Sequence, residues 1–177
     1  MRGTSERLSG DNSHVRFFKE IGGQVGSCLD LAPGCRIEKS RHIREGIERS
    51  GHNPFLIAVT VLTSMDQLTL NQLGVAGKLQ DQVLNLARLT QEAGLDGVVC
   101  SAMEALELRE MLGKQFLLVT PGIRPAHTDL NDQSRVASPA LALNFGASYL
   151  VIGRPITQAR SPLAALEAIH REITPAP

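Results

Sequence analysis

The chain has 177 residues, enough for one domain with a sizeable core but fewer than the roughly 250 of a typical complete (β/α)8 barrel. Its formal net charge is zero, with 42% hydrophobic and 20% charged residues, which excludes the basic excess of a nucleic-acid-binding protein. The longest apolar run, residues 54–62, is too short to cross a bilayer, and residues 1–14 carry no apolar signal-peptide core. These features predict a cytoplasmic protein with no membrane or nucleic-acid partner.

Residues 1–44 differ in character from the rest of the chain. Six glycines interrupt them, their charges lie on no clear face, and their apolar pieces are short and isolated. A weak helical pattern covers residues 37–49. We therefore predict an irregular amino-terminal segment over residues 1–44, not a native barrel sequence, followed by a domain over residues 45–177.

From residue 55 onward, strand and helix patterns alternate. The run 55–62 is apolar and rich in β-branched residues, which predicts a strand buried on both faces. Glycines that end helices and Ser-Pro pairs that begin them mark the elements that follow. Further strands are predicted over 97–100, 116–119 and 149–152, and helices over 79–93, 103–112, 138–145 and 161–173.

The last predicted helix has an apolar face that we expect to point inward: Leu163, Leu166, Ile169 and Ile173. The whole order from residue 55 is β-α-β-α-β-α-β-α, which predicts a parallel α/β sheet with right-handed crossovers. Four such units are half of an eight-unit barrel, but they could also form a small open α/β sheet. The pattern leaves both architectures open.

Ligands of parallel α/β folds bind at the carboxyl ends of the strands, so candidate site residues are those that directly follow each strand. Thr63 follows the first strand, Arg124 the third, and Gly153 with Arg154 the fourth. Glycine lets backbone N–H groups approach a phosphate, and arginine supplies a charge-assisted contact. Taken alone, each of these signals is weak, because Gly-Arg pairs are common and an arginine after a strand is more often a solvated surface charge.

The connection after the third strand, residues 120–136, is long for a strand-to-helix loop and includes Gln133. Loops of this length are often active-site lids, although a polar surface loop fits the composition equally well. Other polar residues give weaker signals. Asp96 precedes a strand, at the wrong end for catalysis, and His170 stands alone on the last helix. The three cysteines, which include Cys100, fit structural thiols.

Four motifs together resemble one known family. They are residues 56–65 (LIAVTVLTSM), 94–102 (GLDGVVCSA), 118–125 (LVTPGIRP) and 149–158 (YLVIGRPITQ), in the order and at the spacing of bacterial orotidine 5′-monophosphate decarboxylases. The resemblance covers roughly residues 54–175 and implies the carboxyl-terminal half of a (β/α)8 TIM barrel. It also implies conversion of orotidine monophosphate to uridine monophosphate and carbon dioxide, in pyrimidine biosynthesis.

The resemblance implies roles for five residues. Thr63 corresponds to a contact with the pyrimidine or ribose, Arg124 to a phosphate-binding arginine, and Gln133 to a loop glutamine that reaches the phosphate and base. Gly153 and Arg154 correspond to the backbone and guanidinium of the phosphate site. Family members work as homodimers on a small-molecule substrate and use no cofactor or metal.

The family's catalytic lysine stands in an Asp-x-Lys-x-x-Asp motif, which this sequence lacks; Asp30 lies in the nearest echo of it. We therefore expect a decarboxylase by family whose chemistry is lost or impaired, and no catalytic residue is identified. A truncated or frameshifted product explains the change in character near residues 44–54. The alternatives are a phosphate- or nucleotide-binding remnant, an inert fragment, or, more weakly, a sugar-phosphate aldolase or isomerase.

Overall fold

The structure is a computed structural model that describes residues 45, 46, 49, 54–125 and 135–174. Four short strands form one parallel sheet: β1 (Ile57–Val59), β2 (Gly97–Val99), β3 (Leu117–Thr120) and β4 (Tyr149–Leu150). Each strand pairs with the next along the chain. Three strands lie within the ranges that the sequence predicts and are shorter than predicted, whereas β3 has the predicted length but is shifted by one residue toward the carboxyl end.

Helices connect and follow the strands. They are α1 (Gln67–Gln72), α2 (Leu79–Glu92), a 3₁₀ turn (Ala102–Glu104) that leads into α3 (Ala105–Leu112), α4 (Pro139–Asn144), α5 (Arg154–Thr157) and α6 (Pro162–Ile173). No helix in the described part of the chain is long and apolar enough to span a membrane.

The capping signals explain where the predicted helices begin and end. The Ser138 hydroxyl accepts a hydrogen bond from the Leu141 amide at 3.2 Å, and the Ser161 hydroxyl accepts one from the Ala164 amide at 3.4 Å. Gly113, which follows α3, has a φ of 81°, a conformation that residues with a Cβ rarely adopt. Local chemistry therefore sets these boundaries.

Two short helices, α1 and α5, were not predicted. Asp66 caps α1, where its Oδ1 accepts hydrogen bonds from the amide and hydroxyl of Thr69 at 2.8 and 2.7 Å. These bonds lower the pKa of the Asp66 carboxyl. Helix α5 begins at Arg154, where the sequence indicated only a loop. Both helices are too short for an apolar period to be recognisable.

The order of the strands decides between a barrel and an open sheet. It is β1-β2-β3-β4 and runs in one direction, whereas a doubly wound sheet reverses its strand order at a switch point. The helices also lie on one face. Val98 and Leu118 pack with α2 and α3, and on the same face Leu150 packs with α4 and α6. A sheet that progresses in one direction with helices on one face is the arrangement of a (β/α)8 barrel.

Two burial expectations were wrong. Strand β1 was expected to be buried on both faces, but Val59 is 50% exposed. Within the described residues, β1 pairs only with β2, so it is an edge strand with one well-covered face. Leu163 was expected to face inward and is instead 66% exposed, because it lies in the first turn of α6. Ile169, two turns later, is buried as expected.

We call the residues that directly precede the strands, Leu56, Asp96, Phe116 and Ser148, the amino edge of the sheet. Asp96 joins β1 to β2 there: its Oδ2 accepts a hydrogen bond from the Leu56 amide at 2.6 Å, and its own amide donates to the Leu56 carbonyl at 2.8 Å. Asp96 thus holds the sheet together at the end away from the candidate site, consistent with the prediction that it is not catalytic.

The Arg109 side chain of α3 closes the rest of the amino edge. Its guanidinium makes five hydrogen bonds: two to the Gly146 carbonyl, one each to the Gly113 and Phe116 carbonyls, and one to the Ser148 hydroxyl. That hydroxyl in turn accepts a bond from the Leu118 amide at 3.1 Å. Burial lowers the pKa of Arg109. One arginine therefore ties α3, β3 and β4 together.

Candidate functional site

We call the segments that directly follow the four strands, residues 60–65, 100–104, 121–125 and 151–154, the carboxyl edge of the sheet. In parallel α/β folds this edge carries the ligand-binding loops. Four of the five predicted site residues are described, and all four lie on this edge: Thr63, Arg124, Gly153 and Arg154. Gln133 lies outside the described residues, so its predicted role stays a prediction.

After β1, a tight turn positions Thr63. The Leu62 carbonyl accepts a hydrogen bond from the Met65 amide at 2.9 Å, which makes Thr63 and Ser64 the central residues of the turn. Thr63 is only 6% exposed, although the neighbouring Leu62 is 49% exposed. The turn therefore directs Thr63 into the protein at the end of the strand.

After β3, the chain turns at Gly122, whose φ is 77°, and reaches Arg124. The Arg124 amide donates to the Ala137 carbonyl at 2.9 Å, and Ile123 and Ala137 form a parallel bridge. Arg124 is buried, and its Nη1 donates to the Ile123 carbonyl at 2.9 Å. Both ends of the long connection are thus held together beside Arg124.

After β4, Gly153 leads directly into α5. Its carbonyl accepts hydrogen bonds from the Ile156 and Thr157 amides at 2.9 and 3.1 Å. A Cβ at Gly153 would meet no protein atom within 4 Å, so packing does not require glycine at this position. Arg154, the next residue, is half-buried. The open space beside Gly153 gives a ligand access to its backbone.

Because β3 and β4 are adjacent, Arg124 and the Gly153-Arg154 pair follow neighbouring strand ends. Thr63 follows β1 at the other side of the sheet. Three strand spacings of about 4.8 Å put the ends of β1 and β4 at most ~14 Å apart along the sheet. The carboxyl edge thus offers two cationic side chains and an open glycine at one side, and a buried hydroxyl at the other.

An ion pair at the same edge escaped the sequence analysis. Arg135 Nη1 contacts Glu104 Oε1, and Arg135 Nη2 donates to the carbonyls of Leu62 and Val61 at 2.9 and 3.4 Å. The Glu104 and Arg135 side chains are only 7% and 15% exposed. No periodic signal marks the pair, because Arg135 belongs to a loop and Glu104 resembles an ordinary first-turn carboxylate.

Titration behaviour at this edge follows burial. Burial raises the pKa of Glu104, and the neighbouring Arg135 opposes that shift. Burial, reinforced by the Glu104 charge, raises the pKa of the Cys100 thiol to about 12. A thiol of that pKa is a poor nucleophile at neutral pH, in agreement with a structural role for Cys100.

His170 is exposed on α6. Among the residues that the structure describes, no group of three or more His, Cys, Asp or Glu side chains could hold a metal ion.

Comparison with known proteins supports the assignment suggested by the motifs. A model of the Orotidine 5'-phosphate decarboxylase / HUMPS family matches residues 29–169. That match begins before residue 45, and the division of the chain at residues 44/45 stays a prediction. The Nitrosococcus oceani orotidine 5'-phosphate decarboxylase is 61% identical over 131 residues, which are 74% of this chain and 56% of that protein.

A second relative and two solved structures agree. The Haemophilus influenzae orotidine 5'-phosphate decarboxylase is 58% identical over 146 residues, 82% of this chain and 63% of that protein. The Lactobacillus acidophilus orotidine 5'-phosphate decarboxylase structure has 43% identity and a TM-score of 0.58, over 71% of this chain and 52% of that one. An uncharacterized conserved protein from Geobacillus kaustophilus has 34% identity and a TM-score of 0.63, over 78% and 59%.

The chain spans between about half and two thirds of the length of the curated relatives it matches. Its four βα units therefore correspond to part of a TIM barrel, as the strand order also indicates. With a family match over residues 29–169 and relatives at 52–61% identity, the chain belongs to the orotidine 5'-phosphate decarboxylase / HUMPS family.

Proposed function

We propose that the carboxyl edge of this sheet is the phosphate- and ribose-facing part of a site for orotidine or uridine 5'-monophosphate. We further propose that these 177 residues bind such a nucleotide but do not decarboxylate it. The observation that carries the proposal is the placement of Arg124 and the Gly153-Arg154 pair after adjacent parallel strands. A phosphate between these loops would meet two guanidinium groups and an unobstructed backbone.

The position of Thr63 extends the proposed site from a phosphate to a nucleotide. Its buried hydroxyl follows β1, on the far side of the sheet from the phosphate loops. A ligand that reaches both sides needs an extended body with a polar group beyond the phosphate, as a nucleoside monophosphate has. The curated relatives, all orotidine 5'-phosphate decarboxylases by name, support the same ligand class.

Loss of catalysis is proposed from the sequence. In the decarboxylase family a lysine stabilises and protonates the carbanion that forms as carbon dioxide leaves. The chain contains no Asp-x-Lys-x-x-Asp sequence. Neither lysine of the described residues follows a strand: Lys78 precedes α2 and Lys114 follows α3. Binding of the phosphate would therefore not lead to catalysis, because no lysine is placed to stabilise the carbanion.

Two measurements on the purified chain test the proposal. Calorimetric titration should give saturable binding of uridine monophosphate, weakened about tenfold or more by Arg154→Ala because a charge-assisted contact is lost. The matched control is Arg88→Ala, which should leave the affinity unchanged. Arg88 is an exposed arginine of α2 whose Nη1 lies 2.9 Å from Glu92 Oε1. In parallel, loss of the orotidine monophosphate chromophore should not exceed the uncatalysed background.

The proposed nucleotide site and the proposed loss of catalysis can be contradicted independently of each other. Absence of nucleotide binding, or equal effects of Arg154→Ala and Arg88→Ala, would contradict the site. Turnover above background that Arg154→Ala abolishes would contradict the loss of catalysis and would point to a catalytic cation outside the Asp-x-Lys-x-x-Asp motif. Both measurements should be made over a range of chain concentrations, so that they cover the monomer and the dimer that the family resemblance implies.

A further inference from the structure

The buried ion pair between Glu104 and Arg135 lies at the carboxyl edge. The four motifs that carry the family resemblance contain neither residue. An exposed pair such as Arg88–Glu92 contributes little, but a buried pair must offset the cost of desolvating two charges. Glu104 Oε2 and Arg135 Nε are buried without a hydrogen-bond partner among the described residues. The pair is therefore poorly explained as a device for stability alone.

The contacts of the segment 135–137 reach three strand ends. The Arg135 guanidinium contacts the Val61 and Leu62 carbonyls after β1 and the Glu104 carboxylate after β2. Two residues later, the Ala137 carbonyl accepts a hydrogen bond from the Arg124 amide after β3. One short segment thus cross-links the ends of β1, β2 and β3.

The Leu62 carbonyl is the point at which this cross-link meets the candidate site. It accepts hydrogen bonds from both the Met65 amide and Arg135 Nη2, each at 2.9 Å. The bond to Met65 closes the turn whose central residues are Thr63 and Ser64. Arg135 therefore fixes the carbonyl on which that turn depends, while Glu104 holds the guanidinium in place.

We propose that Arg135 is a positioning residue that, held by Glu104, fixes the turn after β1 and so presents Thr63 to the nucleoside portion of the ligand. This inference rests on the proposed function for its ligand. It does not assign Arg135 a contact with the phosphate, whose loops follow β3 and β4. Loss of the cross-link should therefore weaken binding of a nucleotide more than binding of free phosphate.

Two variants separate positioning from folding. Arg135→Lys keeps a cation beside Glu104, but a single ammonium does not reproduce the planar fork that reaches two carbonyls and a carboxylate. The double variant Glu104→Gln with Arg135→Met removes both charges, so that neither is left buried alone. Arg88→Lys, in the exposed pair, is the matched control.

The experiment compares uridine monophosphate with inorganic phosphate as probes and follows amide hydrogen exchange at Met65. In both test variants we expect the uridine monophosphate affinity to fall about tenfold, as for loss of a charged hydrogen bond, with phosphate affinity changed less than about twofold. Exchange at Met65 should accelerate by a similar factor of about ten, because its acceptor is no longer fixed. Arg88→Lys should change none of these quantities.

Unchanged Met65 exchange, or equal losses of affinity for both probes, would overturn the positioning role. Failure of the unmodified chain to bind uridine monophosphate would instead reject the proposed function. The exchange measurement would still decide whether Arg135 holds the turn, since it needs no ligand. A cooperative unfolding transition in each variant confirms that the comparison is made between folded proteins.

Discussion

Each edge of the sheet has an arginine that connects neighbouring segments, and the two arginines differ in how completely they are hydrogen-bonded. At the amino edge, the Arg109 guanidinium makes five hydrogen bonds that close the structure around β3 and β4. At the carboxyl edge, Arg135 bridges the ends of β1 and β2 and still has a buried Nε without a hydrogen-bond partner among the described residues. The arginine of the amino edge is therefore fully engaged in holding the fold together, whereas the carboxyl edge, where we propose the site, retains a buried polar group that the described residues do not satisfy.

Gly97 and Gly153 show a similar difference between a residue that the packing requires and one that it does not. A Cβ at Gly97, on β2, would lie 2.3 Å from the Leu117 carbonyl oxygen of β3, whereas a Cβ at Gly153 would meet nothing within 4 Å. Gly97 is required by the packing of the sheet, and Gly153 is not. A glycine that the fold does not need, placed at the ligand-binding end of a strand, is consistent with close approach of a ligand.

The largest expected effect comes from filling the space at Gly97. Gly97→Ala would force the Cβ into the backbone of β3, which must then move apart from β2. We expect a loss of about 3 kcal/mol or more in the free energy of unfolding, at the upper end of overpacking effects. Urea unfolding followed by circular dichroism measures it. A loss below about 0.5 kcal/mol would show that β2 and β3 are not packed as closely as described.

The next effect concerns the Arg109 hydrogen bonds. Arg109→Met keeps much of the apolar stem but leaves the carbonyls of Gly113, Phe116 and Gly146 without their donor. We expect a loss of about 2–3 kcal/mol in unfolding free energy, because the part-buried carbonyls of Phe116 and Gly146 would lose their charged partner together with the exposed carbonyl of Gly113. The control Arg88→Met removes an exposed pair and should cost less than about 0.5 kcal/mol. Equal costs for the two variants would contradict the role of Arg109.

The smallest effect on stability, paired with a clear effect on binding, is expected at Gly153. Gly153→Ala should change the unfolding free energy by less than about 0.5 kcal/mol, since the added methyl meets open space. Uridine monophosphate affinity should nevertheless fall about tenfold, because the methyl would obstruct a phosphate near the backbone. Calorimetry on the folded variant measures this. Unchanged affinity would remove Gly153 from the proposed site.

Much of the fold could be predicted because local signals mark its elements. Ser138-Pro139 and Gly113 set helix ends through hydrogen bonding and positive φ, and β-branched runs mark strands. The strand order could not be derived from the pattern, since alternating elements fit a barrel and an open sheet equally. The exposure of Val59 and Leu163 also depends on which elements pack nearby, which periodicity does not report.

Part of the candidate site could likewise be predicted from the sequence, and part of it could not. Thr63, Arg124, Gly153 and Arg154 were predicted because each lies in a segment after a strand, at the edge where parallel strands end, and because the family resemblance implies a role for each. Their nucleotide-binding roles stay predictions. The Glu104–Arg135 pair was missed because it joins residues 31 positions apart, one of them in a loop. Ion pairs of that kind depend on the tertiary fold and leave no local trace in the sequence.

The measurement that tests the central claim most directly is a titration of the isotopically labelled chain with uridine monophosphate, followed residue by residue through amide chemical shifts. The account predicts saturable shifts at the carboxyl edge, at Thr63, Arg124, Gly153 and Arg154, with little change at Gly97 and Ser148 of the opposite end. Saturable shifts concentrated around Gly97 and Ser148, or no saturable shifts at all, would contradict a nucleotide site at the carboxyl edge.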